Sequence, residues 1–381
     1  MKPFEVHVSD DEIADLKARL AATRWPREEP EDAGWDYGAN MAYVKELCGY
    51  WEREFDWRAV EKRINGFDNF ITEIDGIDIH FLMEKGSGAN PTPLLITHGW
   101  PGSFLEFIEI VEKLAHPERF GGDAADAFTV IAPSLPGYGF SGAPKQPVDC
   151  RDVAGLWRKL MVEVLGIDRF IAQGGDWGSL VTSWVAADHG DVCIGAHQNM
   201  MILQPYRDAN SRPPDAEEAA WQQRRVKSMA GETAYQMIQG TKPQTLAYGL
   251  TDSPAGLAGW ITEKFHRWGD TGGDIESRFS KDRLLANIAL YWFTNTINTS
   301  TWMYCSIPLG KNFSLDEGQR IEIPFGIAAF PDLFPMPPRQ WVERSANVVH
   351  WTNMPSGGHF AAMEEPELFV EDLRAFRRLI G

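Results

Sequence analysis

The sequence predicts an α/β protein: a mostly parallel sheet with helices on both faces, interrupted by one helical insertion and preceded by a mainly helical extension. Three observations carry this. Short apolar runs at residues 94–97, 128–132, 170–173 and 193–197 alternate with longer helical stretches, and fully apolar strands belong to sheets buried on both faces. The alternation stops near residue 204, gives way to about a hundred helix-rich residues, and resumes at Phe325. A glycine-bracketed corner, Gly174-Gly175-Asp176-Trp177-Gly178, joins one strand directly to a helix.

Taken in order, residues 1–70 form the extension. Ser9 caps a helix whose first turn is Asp10-Asp11-Glu12 and which runs to Leu20, and a second helix spans 42–51. Residues 71–203 are the first part of the core. Strands at 69–74 and 77–83 flank the hairpin signal Asp75-Gly76. The strand at 94–97 ends in His98-Gly99-Trp100-Pro101-Gly102-Ser103, with helical residues continuing to Leu114. After the strand at 128–132 come the loop 133–142, a helix at 153–165, the strand at 170–173, the Asp176 corner and a helix to about Ala187. Residues 204–312 form a lid, with helices at 216–229, 233–238, 255–265 and 281–294. Residues 313–381 complete the core through strands at 325–330 and 347–351. Pro366 opens a closing helix that places Leu368, Leu373, Phe376 and Leu379 on one face.

Composition excludes several classes. A hydrophobic fraction of 44% with 24% charged residues is ordinary for a soluble globular protein. The net charge of −18 argues against an exposed nucleic-acid stripe. Four scattered cysteines without a C-x-x-C pair argue against structural zinc and fit a reducing compartment. No apolar run is long enough to span a bilayer, so a soluble, cytoplasmic protein without a membrane anchor is expected. Fifteen tryptophans and 21 phenylalanines supply a core, and supply an apolar pocket equally well.

The corner keeps the G-x-S-x-G spacing of a nucleophile elbow but carries Asp176 at its centre. An aspartate there also serves as an ordinary helix N-cap, though glycine on both sides of a strand-to-helix corner demands more than a cap. Downstream, Asp332 follows the strand at 325–330, and His359 lies in Gly357-Gly358-His359-Phe360 before the last helix. Nucleophile, acid, histidine is the α/β-hydrolase order. Of the other histidines, His98 belongs to the loop after its strand, His7, His116, His189 and His266 fall in peripheral helices or turns, and His80, His197 and His350 in extended stretches.

The chemistry follows from the residue type. An aspartate is anionic without help, its unperturbed pKa lying near 3.9, and the helix N-terminus favours that charge. A serine displacing a group at saturated carbon would leave an inert ether, whereas a carboxylate leaves an ester that water can open. The corner therefore points to an epoxide or an alkyl halide, with a histidine and its acid activating water in the second step. An opening epoxide also needs a proton donor. Tyr235 and Tyr304 stand out in the lid, but Tyr206, Tyr248 and Tyr291 lie there too, and pattern alone does not choose.

Nearly end to end, the chain resembles the microsomal-type epoxide hydrolases. Pro3-Phe4-Glu5-Val6 and Glu54-Phe55-Asp56-Trp57 are similar to that family's extension. The loop 98–103, the corner Gly174 to Ser179, and Gly357-Gly358-His359-Phe360 with Glu365-Pro366-Glu367 match its most specific motifs. Lid segments Thr241-Lys242-Pro243, Asp252-Ser253-Pro254, Glu263-Lys264-Phe265 and Tyr291-Trp292 match as well. The resemblance implies an α/β-hydrolase fold and an apolar epoxide opened to a vicinal diol with water as the second reactant. It assigns the epoxide-polarising pair to Tyr235 and Tyr304, the oxyanion hole to the backbone N–H groups of Trp100 and Trp177, and the relay to His359 with Asp332. It implies no metal, nucleotide or flavin cofactor, no nucleic-acid partner, and is compatible with a homodimer.

Two departures stand out. The membrane-bound relatives carry an N-terminal anchor, whereas this sequence is expected to resemble the soluble members, and the relay acid comes one residue early in Phe330-Pro331-Asp332-Leu333. The nearest rival, a haloalkane dehalogenase, commonly places Asn where Trp100 stands. A silent ligand-binding relative would be marked by loss of a triad member.

Overall fold

A computed structural model describes residues 1–27, 30, 31, 33–209 and 211–381. The extension begins with a two-residue edge strand β1 (Lys2–Pro3), then α1 (Asp10–Ala21), whose Ser9 and Glu12 form a reciprocal capping box. Then come α2 (Met41–Arg53) and α3 (Trp57–Ile64), the last of which the sequence reading left as irregular chain. Both local and tertiary contacts hold α3, and Asp56 caps it by accepting the Arg58 N–H at 2.9 Å. Its buried Glu61 accepts the Val8 N–H at 2.6 Å and the Trp57 indole N–H at 2.9 Å, and Trp57 and Ile64 are buried.

The hairpin forms where expected: β2 (Asp68–Ile74) pairs antiparallel with β3 (Ile77–Glu84), and Asp75 and Gly76 turn at φ 52° and 78°. β4 (Thr92–Thr97) follows. The helical stretch expected up to Leu114 is instead a 3₁₀ turn, Phe104–Phe107, and a short α4 (Val111–Ala115); Ser103 caps the first by accepting the Leu105 N–H. Next are β5 (Phe128–Pro133), α5 (Cys150–Lys159) continuing as a π turn (Leu160–Val164), β6 (Phe170–Gly174), α6 (Asp176–Asp188) and β7 (Cys193–Gln198).

The lid holds α7 (Ala216–Met229), α8 (Ala234–Thr241), α9 (Pro243–Asp252), α10 (Pro254–Trp268), α11 (Lys281–Thr294) and a 3₁₀ segment (Thr299–Leu309). Pro243 opens α9, a helix not expected from the sequence, in the first turn, where a missing N–H costs nothing. A bridge between Gln204 and Ser314 brings the two ends of the excursion together. The extension, expected to wrap the core, also grips the lid: Arg19 pairs with Asp252 at 2.8 Å and the Tyr50 hydroxyl donates to Asp282 at 2.9 Å. The core closes with β8 (Ile321–Ala329), α12 (Arg339–Val342), β9 (Ala346–Asn353), α13 (Ala361–Glu364) and α14 (Pro366–Ile380).

The sheet runs β1-β2-β3-β5-β4-β6-β7-β8-β9, antiparallel up to β5 and parallel from there on. From β4 the chain moves outward to β5, then crosses back to β6 on the other side. That reversal leaves a crevice beyond the carboxyl ends of β4 and β6, where ligands of open α/β sheets bind. The strands beneath are dry: Leu94, Ile96, Val130, Ile131, Phe170 and Ile171 are fully buried. At the far side of the sheet order, Asp372 of α14 sits between His197 of β7 (2.8 Å) and His350 of β9 (2.9 Å). Among the described residues, no helix is long and apolar enough to cross a membrane.

Candidate active site

The crevice holds the corner that ends β6. Asp176 has φ 47°, a left-handed conformation that costs a non-glycine residue about 1–2 kcal/mol. Tight backbone packing sustains it. A Cβ on Gly178 would stand 2.0 Å from the Thr97 carbonyl oxygen, and one on Gly99 would stand 2.3 Å from the Asp176 side chain. The two glycines thus let the corner and the loop after β4 close on each other. The loop then holds the carboxylate: Asp176 Oδ1 accepts the Trp100 N–H at 2.8 Å. Trp177, second in α6, has an N–H with no intrahelical acceptor by position, beside the same carboxylate.

On the other side, His359 Nε2 lies 3.5 Å from Asp176 Oδ2, and its Nδ1 lies 3.2 Å from Asp332 Oδ2. Asp332 reaches the ring despite coming one residue early. Its N–H bonds back to the Phe330 carbonyl at 2.8 Å, a tight turn at Pro331, while its Oδ1 accepts the Phe334 N–H at 3.1 Å. Burial pushes the His359 imidazole down, but the charges and hydrogen bonds of Asp332 and Asp176 outweigh it and raise its pKa to about 10. At rest the ring is therefore an imidazolium between two carboxylates.

The lid supplies a roof of tyrosines. The Tyr235 ring stacks on Trp100 at 5.3 Å, the Tyr304 ring meets Trp177 edge-on at 4.8 Å, and the two tyrosines lie 5.8 Å apart. Burial and the Asp176 charge push both phenols well above their ordinary range, so they are donors at any physiological pH. The competing lid tyrosines lie elsewhere. Tyr206 and Tyr248 are exposed, and the Tyr291 hydroxyl is spent on the Gly102 carbonyl at 2.7 Å. Asp176, Trp177, Tyr235 and Tyr304 share a cavity of about 330 Å³ with Met200, Met201, Phe334 and Met336, a size and lining suited to a small apolar molecule.

Comparison with known proteins agrees with this geometry. Residues 1–107 match the family described as Epoxide hydrolase N terminus, and residues 92–244 match the alpha/beta hydrolase fold. The chain is 37% identical to Epoxide hydrolase 1 of Oryctolagus cuniculus, over 100% of this chain and 89% of that one. It is 34% identical to the juvenile hormone epoxide hydrolase of Bombyx mori, over 98% and 85%. Among solved structures, that silkworm enzyme superposes with a TM-score of 0.87 at 30% identity, covering 100% of this chain and 95% of that one. The epoxide hydrolase of Aspergillus niger gives 0.85 at 32%, covering 100% and 96%.

The chain belongs to the epoxide hydrolases.

Within this epoxide hydrolase, all five residues named from sequence (Asp176, His359, Asp332, Tyr235, Tyr304) meet at one crevice, with the Trp100 and Trp177 backbone beside them. The histidines of nearby strands stay out of the chemistry. Burial pushes His80 down to about 3 and His98 down to about 4, and each is engaged by neighbours: His80 with Ser134 (2.9 Å), His98 with the Leu135 N–H (3.1 Å). The sequence reading missed Glu106. This acid lines a chamber of about 10 Å³ together with Asp176, Asn199 and His359. Burial pushes its carboxyl up to about 8, the His359 charge pulling against that rise and the Asp176 charge adding to it. A lone acid within the apolar run Phe104-Leu105-Glu106-Phe107-Ile108, three residues past Ser103, was the signal available.

Proposed function

We propose that this epoxide hydrolase works through a covalent aspartyl ester. The epoxide oxygen sits between the Tyr235 and Tyr304 hydroxyls while Asp176 Oδ2 attacks a ring carbon from behind. The C–O bond of the ring breaks, an ester bond to Asp176 forms, and the alkoxide takes a proton from a tyrosine. Asp176 Oδ1, already held by Trp100 N–H, becomes the ester carbonyl, so the oxyanion hole is in place before the second step.

Forming the ester also removes one of the two negative charges that hold His359 protonated. Its pKa falls, the imidazolium gives up its proton to the tyrosinate left by the first step, and the neutral ring becomes a base. A water in the small chamber, held by Glu106 and His359, then attacks the ester carbon. A space of this size is at the lower bound for one water. His359 takes a proton from the water as its oxygen bonds to the ester carbon. On collapse the ester C–O bond breaks and the departing alkoxide takes that proton from His359. The Asp176 carboxyl returns its own proton to the ring, so the carboxylate and imidazolium are restored and the diol leaves. The observation that carries this reading is the position of His359 between Asp176 and Asp332, opposite the tyrosine pair. The four cysteines form no disulfide, which supports a reducing, cytoplasmic setting.

The test is an intact-mass spectrum of His359→Ala after incubation with styrene oxide. The expected result is a stable gain equal to the whole epoxide, mapped by peptide digestion to Asp176. A gain mapped elsewhere, or full turnover by the variant, would sink the mechanism. An alkyl gain from a bromoalkane with none from the epoxide would favour dehalogenation.

A further inference from the structure

Helix α7 lines the mouth of the active-site cavity. Trp221, Arg225 and Met229, four residues apart, fall on one helical face and border the cavity that contains Asp176. The same three residues border an outer depression that also contains Arg207 and Gln222. Arg225 thus stands where the outside meets the reaction chamber.

Its surroundings are unusual for an arginine in a protein of net charge −18. Arg225 is half-buried, and it makes no ion pair with a carboxylate among the described residues. The acids on its own helix are taken. Glu218 binds Arg212 at 3.0 Å and also Arg344, and Glu217 accepts the Gln340 amide at 2.6 Å. The aromatic face nearest Arg225 is Trp221, with the guanidinium 6.0 Å from the ring centroid, at the outer limit of a cation–π contact. Trp221 itself is fixed, buried and donating its indole N–H to the Pro335 carbonyl at 2.8 Å. Desolvation without a compensating charge lowers the guanidinium pKa. An unpaired, partly desolvated guanidinium on a rigid support is costly unless a ligand supplies the anion.

We infer that Arg225 selects substrates whose apolar body carries a carboxylate at the end remote from the oxirane, as in an epoxidised fatty acid. This deepens the epoxide-hydrolase reading and rests on it. The oxirane lies against Asp176 and the tyrosines, methionines such as Met200, Met201 and Met336 surround the hydrocarbon, and the carboxylate meets the planar donor fork of Arg225 at the mouth. Arg207, in the outer depression, adds local positive potential that counters the overall acidity.

The test compares kcat/KM for a mid-chain epoxide of a saturated fatty acid with that for its methyl ester, both below micelle formation, with styrene oxide as a neutral reference. Wild type is expected to favour the acid about tenfold to a hundredfold, carried by KM, the range for a hydrogen-bonded charge. Arg225→Met should bring that ratio to about one, and Arg225→Lys, keeping charge but losing the fork, should hold an intermediate preference. Equal use of acid and ester by wild type overturns the inference, as does a preference that survives Arg225→Met. Loss of styrene oxide turnover in Arg225→Met would mean a disturbed lid, and the Arg225→Lys ratio then decides. Failure of wild type on all three epoxides would strike the epoxide reading itself, a different result from an enzyme that turns over styrene oxide without preferring acids.

Discussion

Two clusters of histidine and aspartate lie along the same sheet, and they are near inversions of one another. In the crevice, one histidine, His359, stands between two carboxylates. Under α14, one carboxylate, Asp372, stands between two histidines. Excess negative charge in the first lifts the histidine to about 10. In the second, burial pushes Asp372 up, but the His197 and His350 contacts outweigh it and hold the carboxyl well below its usual range. The first cluster opens onto a cavity and, in the proposed mechanism, loses a charge when Asp176 is esterified. The second has no reactive partner and ties β7, β9 and α14 together. The residue types are shared; stoichiometry and access to the cavity suit one to the proposed base and the other to a brace.

The largest effect expected from breaking this contrast is at Asp332. Asp332→Asn removes the charge behind His359 and reverses the hydrogen-bonding preference of Nδ1. A fall in kcat of about a thousandfold is expected, with little change in thermal stability. Because the ester still forms, rapid-quench mass spectrometry should catch the alkylated enzyme accumulating. Loss confined to KM would show that Asp332 does not serve the second step.

Asp372→Ala should do the reverse. Removing the shared carboxylate leaves the buried His197 ring and the partly buried His350 ring without their partner, at a cost of about 3 kcal/mol of stability, while kcat on the protein that remains folded should stay near wild type. The sign with pH is fixed by the depressed folded value. The contribution is present above the unfolded aspartate pKa of about 3.9 and is lost as pH falls through the lower folded one. Chemical denaturation of both proteins at pH 7 and in acid should show the gap narrowing on acidification. A gap that persists unchanged would mean that packing, not charge, is what Asp372 provides.

The contrast also explains what could be seen in advance. The Asp176, Asp332 and His359 cluster was legible because its members sit at fixed points of a chain order: an elbow flanked by glycines, an acid after the next core strand, a histidine before the last helix. Asp332, one residue out of register, was recoverable because a turn at Pro331 absorbs the shift. His197, His350 and Asp372 carry no such signature; two were placed in strands, but strand pairing across β8 and the docking of α14 bring them together, and neither is encoded locally. The helix α3 was missed for another reason: it has a local cap at Asp56 and basic residues in its last turn, but its eight residues are too few to show a clear periodicity. Arg225 carries no local signature either, being the second of two adjacent arginines in Gln223-Arg224-Arg225-Val226. Only the fold shows that its neighbouring acids are already engaged.

Glu106 offers the finest distinction, since it belongs to the catalytic crevice yet resembles a brace in being enclosed by protein. With its carboxyl raised from 4.5 to about 8, it is neutral at pH 7 and donates a proton to whatever it holds. If that partner is the attacking water, kcat should fall as pH rises through about 8, because the ionised group no longer donates and repels the developing negative charge. Glu106→Gln keeps a neutral donor of nearly the same shape. It should retain activity at pH 7 to within about tenfold and lose the basic limb. Stability should move too. The folded state holds the proton more tightly than the unfolded chain, so wild type loses stability, relative to the glutamine variant, as pH rises from about 4.5 to about 8, and the difference is constant above that. A basic limb that survives in Glu106→Gln, alongside the expected stability change, would reassign Glu106 from the water to the packing behind the nucleophile.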